Sequence, residues 1–208
     1  MAAILLLEER GKLRIDDPVK THLPEAPASW DKVTIRHLLS HTSGIPDYTI
    51  LPDFRATQGS RTKLENLVGR FRDLPLDFPA GTGWSYSNSG YVLLGWIIQR
   101  VSGQSYAAFL DENFFAPLEM ADTGYDYNAV VLDKRASGYL YANGFHSNAD
   151  YTDMSVPFAA GALYSTTRDL LRWTKALVSG KVLSATALRK MTTHVTNRYA
   201  MGLFSAHL

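Results

Sequence analysis

The stretch from Pro79 to Gly103 constrains this chain more than any other. Its first half, Pro79 to Ser89, is polar and rich in Gly and Ser, which predicts a loop. Its second half, Gly90 to Val101, is apolar on nearly every side, which predicts a helix buried in a core. Leu94, Ile97, Ile98 and Val101 recur at i, i+3, i+4 and i+7, and Gly103 suits the left-handed position after a helix. Tyr86, Ser87 and Asn88 stand where the halves meet. Polar groups at the end of a rigid buried element can be held still, as a reactive site requires. The same residues can be structural. Ser87, Asn88 or Ser89 can cap the helix through a side-chain oxygen, and Tyr86 can be a half-buried aromatic. Both readings stay open at this level.

Helix dominates elsewhere. Met1 to Glu9 has helical character without a cap and ends at Gly11. Asp16-Asp17-Pro18 turns the chain, and Pro24 to Ser29 is a Pro/Ala loop. Thr34 is placed to cap a short helix, Ile35 to His41. Tyr48 to Ser60 reads as loop. Thr62-Lys-Leu-Glu65 has the form of a capping box, with Leu64, Leu67, Val68 and Phe71 as the stripe behind it. Ser105 opens a helix lined by Tyr106, Phe109, Leu110 and Phe114 and stopped by Pro117. Tyr125 to Asp153 lacks helical period, and Asn143-Gly144 suggests a hairpin. Ser165 or Thr166 caps a helix through Leu170 and Val178, and Ser184 opens a last one. Asn197 to Leu208 shows no clear element.

At 208 residues the expectation is one domain, 1–208, with enough chain to bury roughly 70% of its unfolded surface. A net charge of +1 gives no reason to expect nucleic acid or an anionic membrane as partner. Cysteine is absent, which excludes disulfides, thiolate catalysis and Cys-bound zinc. No apolar run approaches the roughly 20 residues of a membrane span, and Ala2–Leu7 lacks the basic start of a signal peptide. The expectation is a soluble chain of undetermined compartment.

Tyr86-Ser-Asn88, followed by Ser-Gly-Tyr-x-Leu-Leu-Gly-x-Ile-Ile, resembles the Tyr-x-Asn motif of the serine β-lactamase and penicillin-binding protein family. It is closest to the class C branch, with its DD-peptidases and family VIII esterases. Further blocks follow in that family's order: Leu5 to Val19 with His22-Leu-Pro24, Thr34 to Pro46, Phe78 to Gly83, Pro117 to Thr123 and Ala159 to Leu170. The resemblance implies the helical portion of the β-lactamase/transpeptidase-like α/β fold: mainly α with a small β hairpin, lacking most of the central antiparallel sheet.

The same resemblance implies acyl transfer. A Ser of a Ser-x-x-Lys motif attacks a carbonyl, and the Lys reaches that hydroxyl from one helical turn later. Tyr86 would relay protons and Asn88 would orient the acyl side-chain amide and the Lys. Gly161 matches a position near the pocket. A Lys-Thr-Gly or His-x-Gly strand would complete the oxyanion hole. Neither flanking motif is found where the family order puts it, so an incomplete, inactive unit is expected, truncated at both ends. No cofactor and no metal is called for. The substrate would be a small amide or ester. The alternative is a non-catalytic remnant that self-associates through apolar faces of Ala2–Leu7 and Leu170–Val178, left uncovered by the missing sheet.

Four local patterns are set aside. Ser29-Trp-Asp-Lys32 has the form Ser-x-x-Lys but lies where no helix has begun. His37 and His41 mimic half of a zinc site, with Leu38 where Glu would stand, and read as structural histidines. Ser43 lacks the flanks of a nucleophile elbow and reads as a turn residue. Asp16-Asp17 and Asp111-Glu112 read as solvated charge.

Overall fold

The computed structural model describes residues 1–196 and 199–204. The Asn197–Leu208 expectation therefore falls partly outside the described residues. Within them, Tyr199 forms isolated β-bridges with Thr196 and Phe204.

Helix α6 (Asn88–Ser102) is the axis of the fold. Its Val92, Leu93, Leu94, Trp96, Ile97 and Ile98 are all buried. Gly103 ends it at φ 72°, the left-handed conformation that glycine adopts without a Cβ penalty. Helices α1 (Ala2–Glu9), α2 (Val19–His22), α3 (Ile35–Leu39), α5 (Leu64–Gly69) and α7 (Tyr106–Leu110) pack around it. Gly95 lets the segment Phe158–Ala160 press against the axis. A Cβ there would lie 2.3 Å from the Ala159 Cβ, so any side chain would push the two apart.

The caps follow local side-chain chemistry. Thr34 Oγ1 accepts from the His37 amide, and the His37 ring accepts from the Thr34 amide, closing a capping box around α3. Ser105 caps α7. Thr166 caps α8 (Thr167–Val178), and Ser184 caps α9 (Ala185–Thr192). After α7 the chain widens into a π-helical turn, Asp111–Phe115, before Pro117. Asn143-Gly144 joins β2 (Tyr139–Ala142) to β3 (Phe145–Asn148) as the expected hairpin. The other strands among the described residues, β1 (Gly124–Tyr125) and β4 (Leu163–Tyr164), pair with each other.

Several expectations are corrected. The capping box at Thr62 does not form. The Thr62 amide is taken by Ser155 Oγ at 2.9 Å, and α5 starts from Lys63 with no side-chain cap. α3 stops at Leu39, because His41 takes φ 57° and leaves the helix. Tyr48–Ser60 is not plain loop but holds a 3-10 turn, Tyr48–Ile50, and helix α4 (Phe54–Thr57). The apolar face of Ala2–Leu7 is not bare. Ala2, Ala3, Ile4, Leu5 and Leu7 are buried, with α6 and α9 packed against α1. Only the α8 half of that expectation holds, with Leu170, Leu171 and Val178 exposed. Asp16 and Asp17 are more than solvated charge. Asp16 pairs with Arg36, and Asp17 accepts from the Arg14 amide and meets His22 at 2.9 Å.

Candidate active site

The join between loop and helix is held from three sides. Ser89 is fully buried at the second position of α6. Its hydroxyl donates to the Pro46 carbonyl at 2.6 Å and accepts from the Tyr48 amide at 3.0 Å. This clamps the segment 46–48 onto the start of α6. Tyr48 is buried as well, and its hydroxyl donates to the Val156 carbonyl at 2.7 Å. Burial pushes the Tyr48 phenol well above its ordinary value, so it stays protonated and serves as an anchor.

The capping alternatives raised for this join are not what the side chains do. Ser87 occupies the N-cap position with no side-chain bond to the helix, and its Oγ is buried without a partner among the described residues. Ser89 bonds outward to the 46–48 segment. Asn88 Nδ2 donates to Asp47 Oδ2 at 2.9 Å and sits 3.4 Å from Thr49 Oγ1.

Tyr86 and Asn88 are brought together. The Tyr86 hydroxyl donates to Asn88 Oδ1 at a long 3.4 Å, and Tyr86 is 50% exposed. A carboxylate only accepts hydrogen bonds, so the Asn88 atom facing Asp47 is the amide NH2. The carbonyl oxygen is thereby turned toward Tyr86. Asp47 Oδ1 accepts from the Thr49 amide at 3.0 Å, which fixes the carboxylate in turn.

His41 forms the wall behind Tyr86, with ring centroids 4.4 Å apart. Its Nδ1 accepts from the Ser87 amide at 3.1 Å, and its carbonyl accepts from the Ser85 amide at 3.0 Å. Tyr91 stacks on the same imidazole at 5.0 Å, and Tyr199 lies 5.2 Å away. Burial lowers the His41 pKa to about 4, outweighing the opposing pull of the Asp47 carboxylate. The ring is therefore neutral at pH 7, with Nδ1 as acceptor and the proton on Nε2. Sequence reasoning classed His41 as structural and passed over Asp47 altogether. Both are signalled only by contacts that span more than 40 residues.

The other candidates lie elsewhere. Ser29 sits in a 3-10 turn, Ala28–Trp30, and both Ser29 and Lys32 are exposed. A second Ser-x-x-Lys, Ser60-Arg-Thr-Lys63, escaped the sequence reading. Its residues are not on one helix either, since Lys63 is extended, with ψ 153°, at the cap of α5. Ser43 is a turn residue, its Oγ accepting from the Ile45 amide at 3.2 Å. The His37 and His41 rings each commit one nitrogen to a backbone amide. Among the described residues no cluster of three or more His, Cys, Asp or Glu is arranged to hold a metal. Gly161 follows the Phe158–Ala160 turn. A cleft of about 330 Å³ opens between His37, Thr42, Gly81 and Trp84, and neither Tyr86 nor Asn88 lines it.

Comparison with known proteins shows the family of the chain. The family model described as Beta-lactamase matches residues 1–206. Penicillin-binding protein 4* of Bacillus subtilis (strain 168) is 37% identical over 198 residues, covering 87% of this chain and 43% of that protein. A D-stereospecific amidohydrolase from Streptomyces sp. superposes with a TM-score of 0.86 at 28% identity, over 97% of this chain and 66% of the other. A penicillin binding protein from Bacillus halodurans superposes at 0.84 with 31% identity, over 97% and 65%. The chain spans about half the length of the curated relatives it matches. With its family model matched from end to end of the described residues, and with penicillin-binding proteins among its relatives, this chain belongs to the beta-lactamase family of serine hydrolases and penicillin-binding proteins.

Proposed function

We propose that residues 1–208 carry the proton-relay and orienting side of an acyl-transfer site acting on a small amide or ester. The observation that carries the reading is the Tyr86–Asn88 pair. A half-exposed phenol lies within reach of an amide oxygen whose orientation is set by a buried carboxylate. In this reading Tyr86 passes the proton between an attacking serine and the leaving group, and Asn88 orients the acyl portion of the substrate. Among the candidate classes of β-lactam, D-alanyl peptide and ester, similarity to a D-stereospecific amidohydrolase favours an amide.

Neither Ser-x-x-Lys of this chain lies on a helix. Residues 1–208 on their own are therefore expected to form no acyl-enzyme. The test has two arms. A fluorescent penicillin should leave residues 1–208 unlabelled, and stoichiometric labelling mapped to any serine would contradict that. In the gene product as the cell makes it, Tyr86→Phe should lower kcat on an amide or ester substrate by about 10²- to 10⁴-fold. An unchanged kcat would overturn the assignment of Tyr86.

A second reading, a non-catalytic and self-associating protein, rests on one observation. Leu170, Leu171 and Val178 are exposed on α8, at 52%, 54% and 73%. A surface of this kind supports contact between copies. Sedimentation of residues 1–208 at micromolar concentration should show a species larger than monomer that Leu171→Glu disperses. A monomer at all concentrations would exclude it.

A further inference from the structure

Tyr86 is poorly held by its own side chain. It is half exposed, and its hydroxyl makes one long contact, 3.4 Å to Asn88 Oδ1. A group that passes a proton has to be held to within about 0.5 Å of its working place. That precision must come from somewhere other than the hydroxyl. His41 meets the need from the backbone side. Its carbonyl accepts from the Ser85 amide at 3.0 Å, and its Nδ1 accepts from the Ser87 amide at 3.1 Å. The residues before and after Tyr86 are thus bound to one residue, whose imidazole lies 4.4 Å from the Tyr86 ring.

His41 is itself fixed. It is buried, with Tyr91 stacked on it at 5.0 Å and the Tyr199 and Trp84 rings at 5.2 and 6.2 Å. Tyr91 is tied down in turn, its hydroxyl donating to the Leu39 carbonyl at 3.2 Å. The His41 backbone stands at φ 57°, a conformation that a residue with a Cβ keeps only where its surroundings impose it. Strain of this kind concentrates at working sites. The ring is not equipped to move the proton itself. Nδ1 is spent on an amide, and burial brings the pKa to about 4, which leaves a neutral and weakly basic imidazole at pH 7.

We propose that His41 is a positioning residue for the acyl transfer: by holding the Ser85 and Ser87 amides on either side of Tyr86, it keeps the phenol where the proton is passed. The proposal rests on the reading of Tyr86 as the proton-transfer residue and adds a residue that acts through the backbone. His41 acts on Tyr86 and not on the substrate, so its loss falls on kcat and spares KM.

The test is turnover of an amide or ester substrate by the gene product as the cell makes it, carrying His41→Gly or His41→Asn. Both replacements tolerate a positive φ better than other residues do. Glycine removes the side-chain acceptor, whereas the Asn carbonyl oxygen supplies one. His41→Gly should lower kcat per folded molecule by about 10²-fold with KM changed less than about threefold, and His41→Asn should recover at least about tenfold of that loss. A role in stability alone would lower the folded fraction and leave kcat per folded molecule as it was. An unchanged kcat in His41→Gly, equal losses in the two variants, or a loss confined to KM overturns the proposal. Amide hydrogen exchange in the unaltered protein decides the matter should the variants not fold. The Ser85 and Ser87 amides should exchange at least about tenfold more slowly than in an unstructured chain, and exchange at the unstructured rate overturns the proposal. An unchanged kcat in Tyr86→Phe would instead remove the reading of Tyr86 beneath it.

Discussion

The imidazole of His41 accepts the Ser87 amide proton at 3.1 Å while its face lies against the Tyr86 ring. One side chain therefore holds both the backbone and the phenol of the Tyr86–Asn88 segment. It can accept that bond only while Nδ1 is unprotonated, which ties the geometry of the site to pH.

Acid should loosen this arrangement. Burial lowers His41 from 6.5 to about 4 in the folded chain, so between those values the unfolded chain binds more protons. The His41 contribution to stability then falls as pH drops from about 6.5 to about 4 and levels off below, with a loss on the order of 3 kcal/mol. His37 is lowered in the same direction, by burial and by Arg36, and adds to the effect. Urea unfolding across that range is the check. The variant His41→Phe should flatten the slope, and an unchanged slope would contradict the role given to His41.

Ser89→Ala removes the hydroxyl that clamps the 46–48 segment to α6. The Tyr48 amide and the Pro46 carbonyl would be left buried without that partner. The expected cost is about 1–3 kcal/mol in chemical unfolding. The Asn88 side-chain signals should broaden as well, because Asp47 lies on the released segment.

Asp169 joins the turn before β1 to the start of α8. It is fully buried and accepts from the Asp122 amide, the Thr123 hydroxyl and Arg172. Burial alone would raise its carboxyl pKa, but those hydrogen bonds and the Arg172 charge outweigh it and hold the carboxyl below the usual range. Its contribution is therefore present above the unfolded carboxyl value and is lost as pH falls through that value toward the folded one. Asp169→Ala should cost on the order of 3 kcal/mol. A change of less than about 0.5 kcal/mol in urea unfolding, the range of ordinary surface substitutions, would show that the network carries little.

Features set by neighbours in sequence were legible in advance. The caps at Thr34, Ser105, Thr166 and Ser184 each use a side chain three residues from its amide. The hairpin at Asn143-Gly144 and the stop at Gly103 are likewise local. Thr62 shows the limit of such reasoning, since a partner 93 residues away took its amide and the capping box did not form. The site was half legible. Tyr86 and Asn88 carry a recognisable pattern, but Asp47 reaches Asn88 across 41 residues and His41 reaches Ser87 across 46. No local period announces contacts of that kind. The cover over α1 was missed for the same reason, because α9 lies at the opposite end of the described chain.

The central claim is that Tyr86 and Asn88 act as one unit, and a double-mutant cycle on acylation rate tests it most directly. The gene product as the cell makes it would be compared with Tyr86→Phe, Asn88→Ala and the pair, using single-turnover acylation by a penicillin or an amide substrate. The account predicts that each single variant slows acylation by about 10²-fold or more, and that the double variant is scarcely slower than the worse single one. Single effects that multiply in the double variant, or variants that acylate at the unaltered rate, would contradict it.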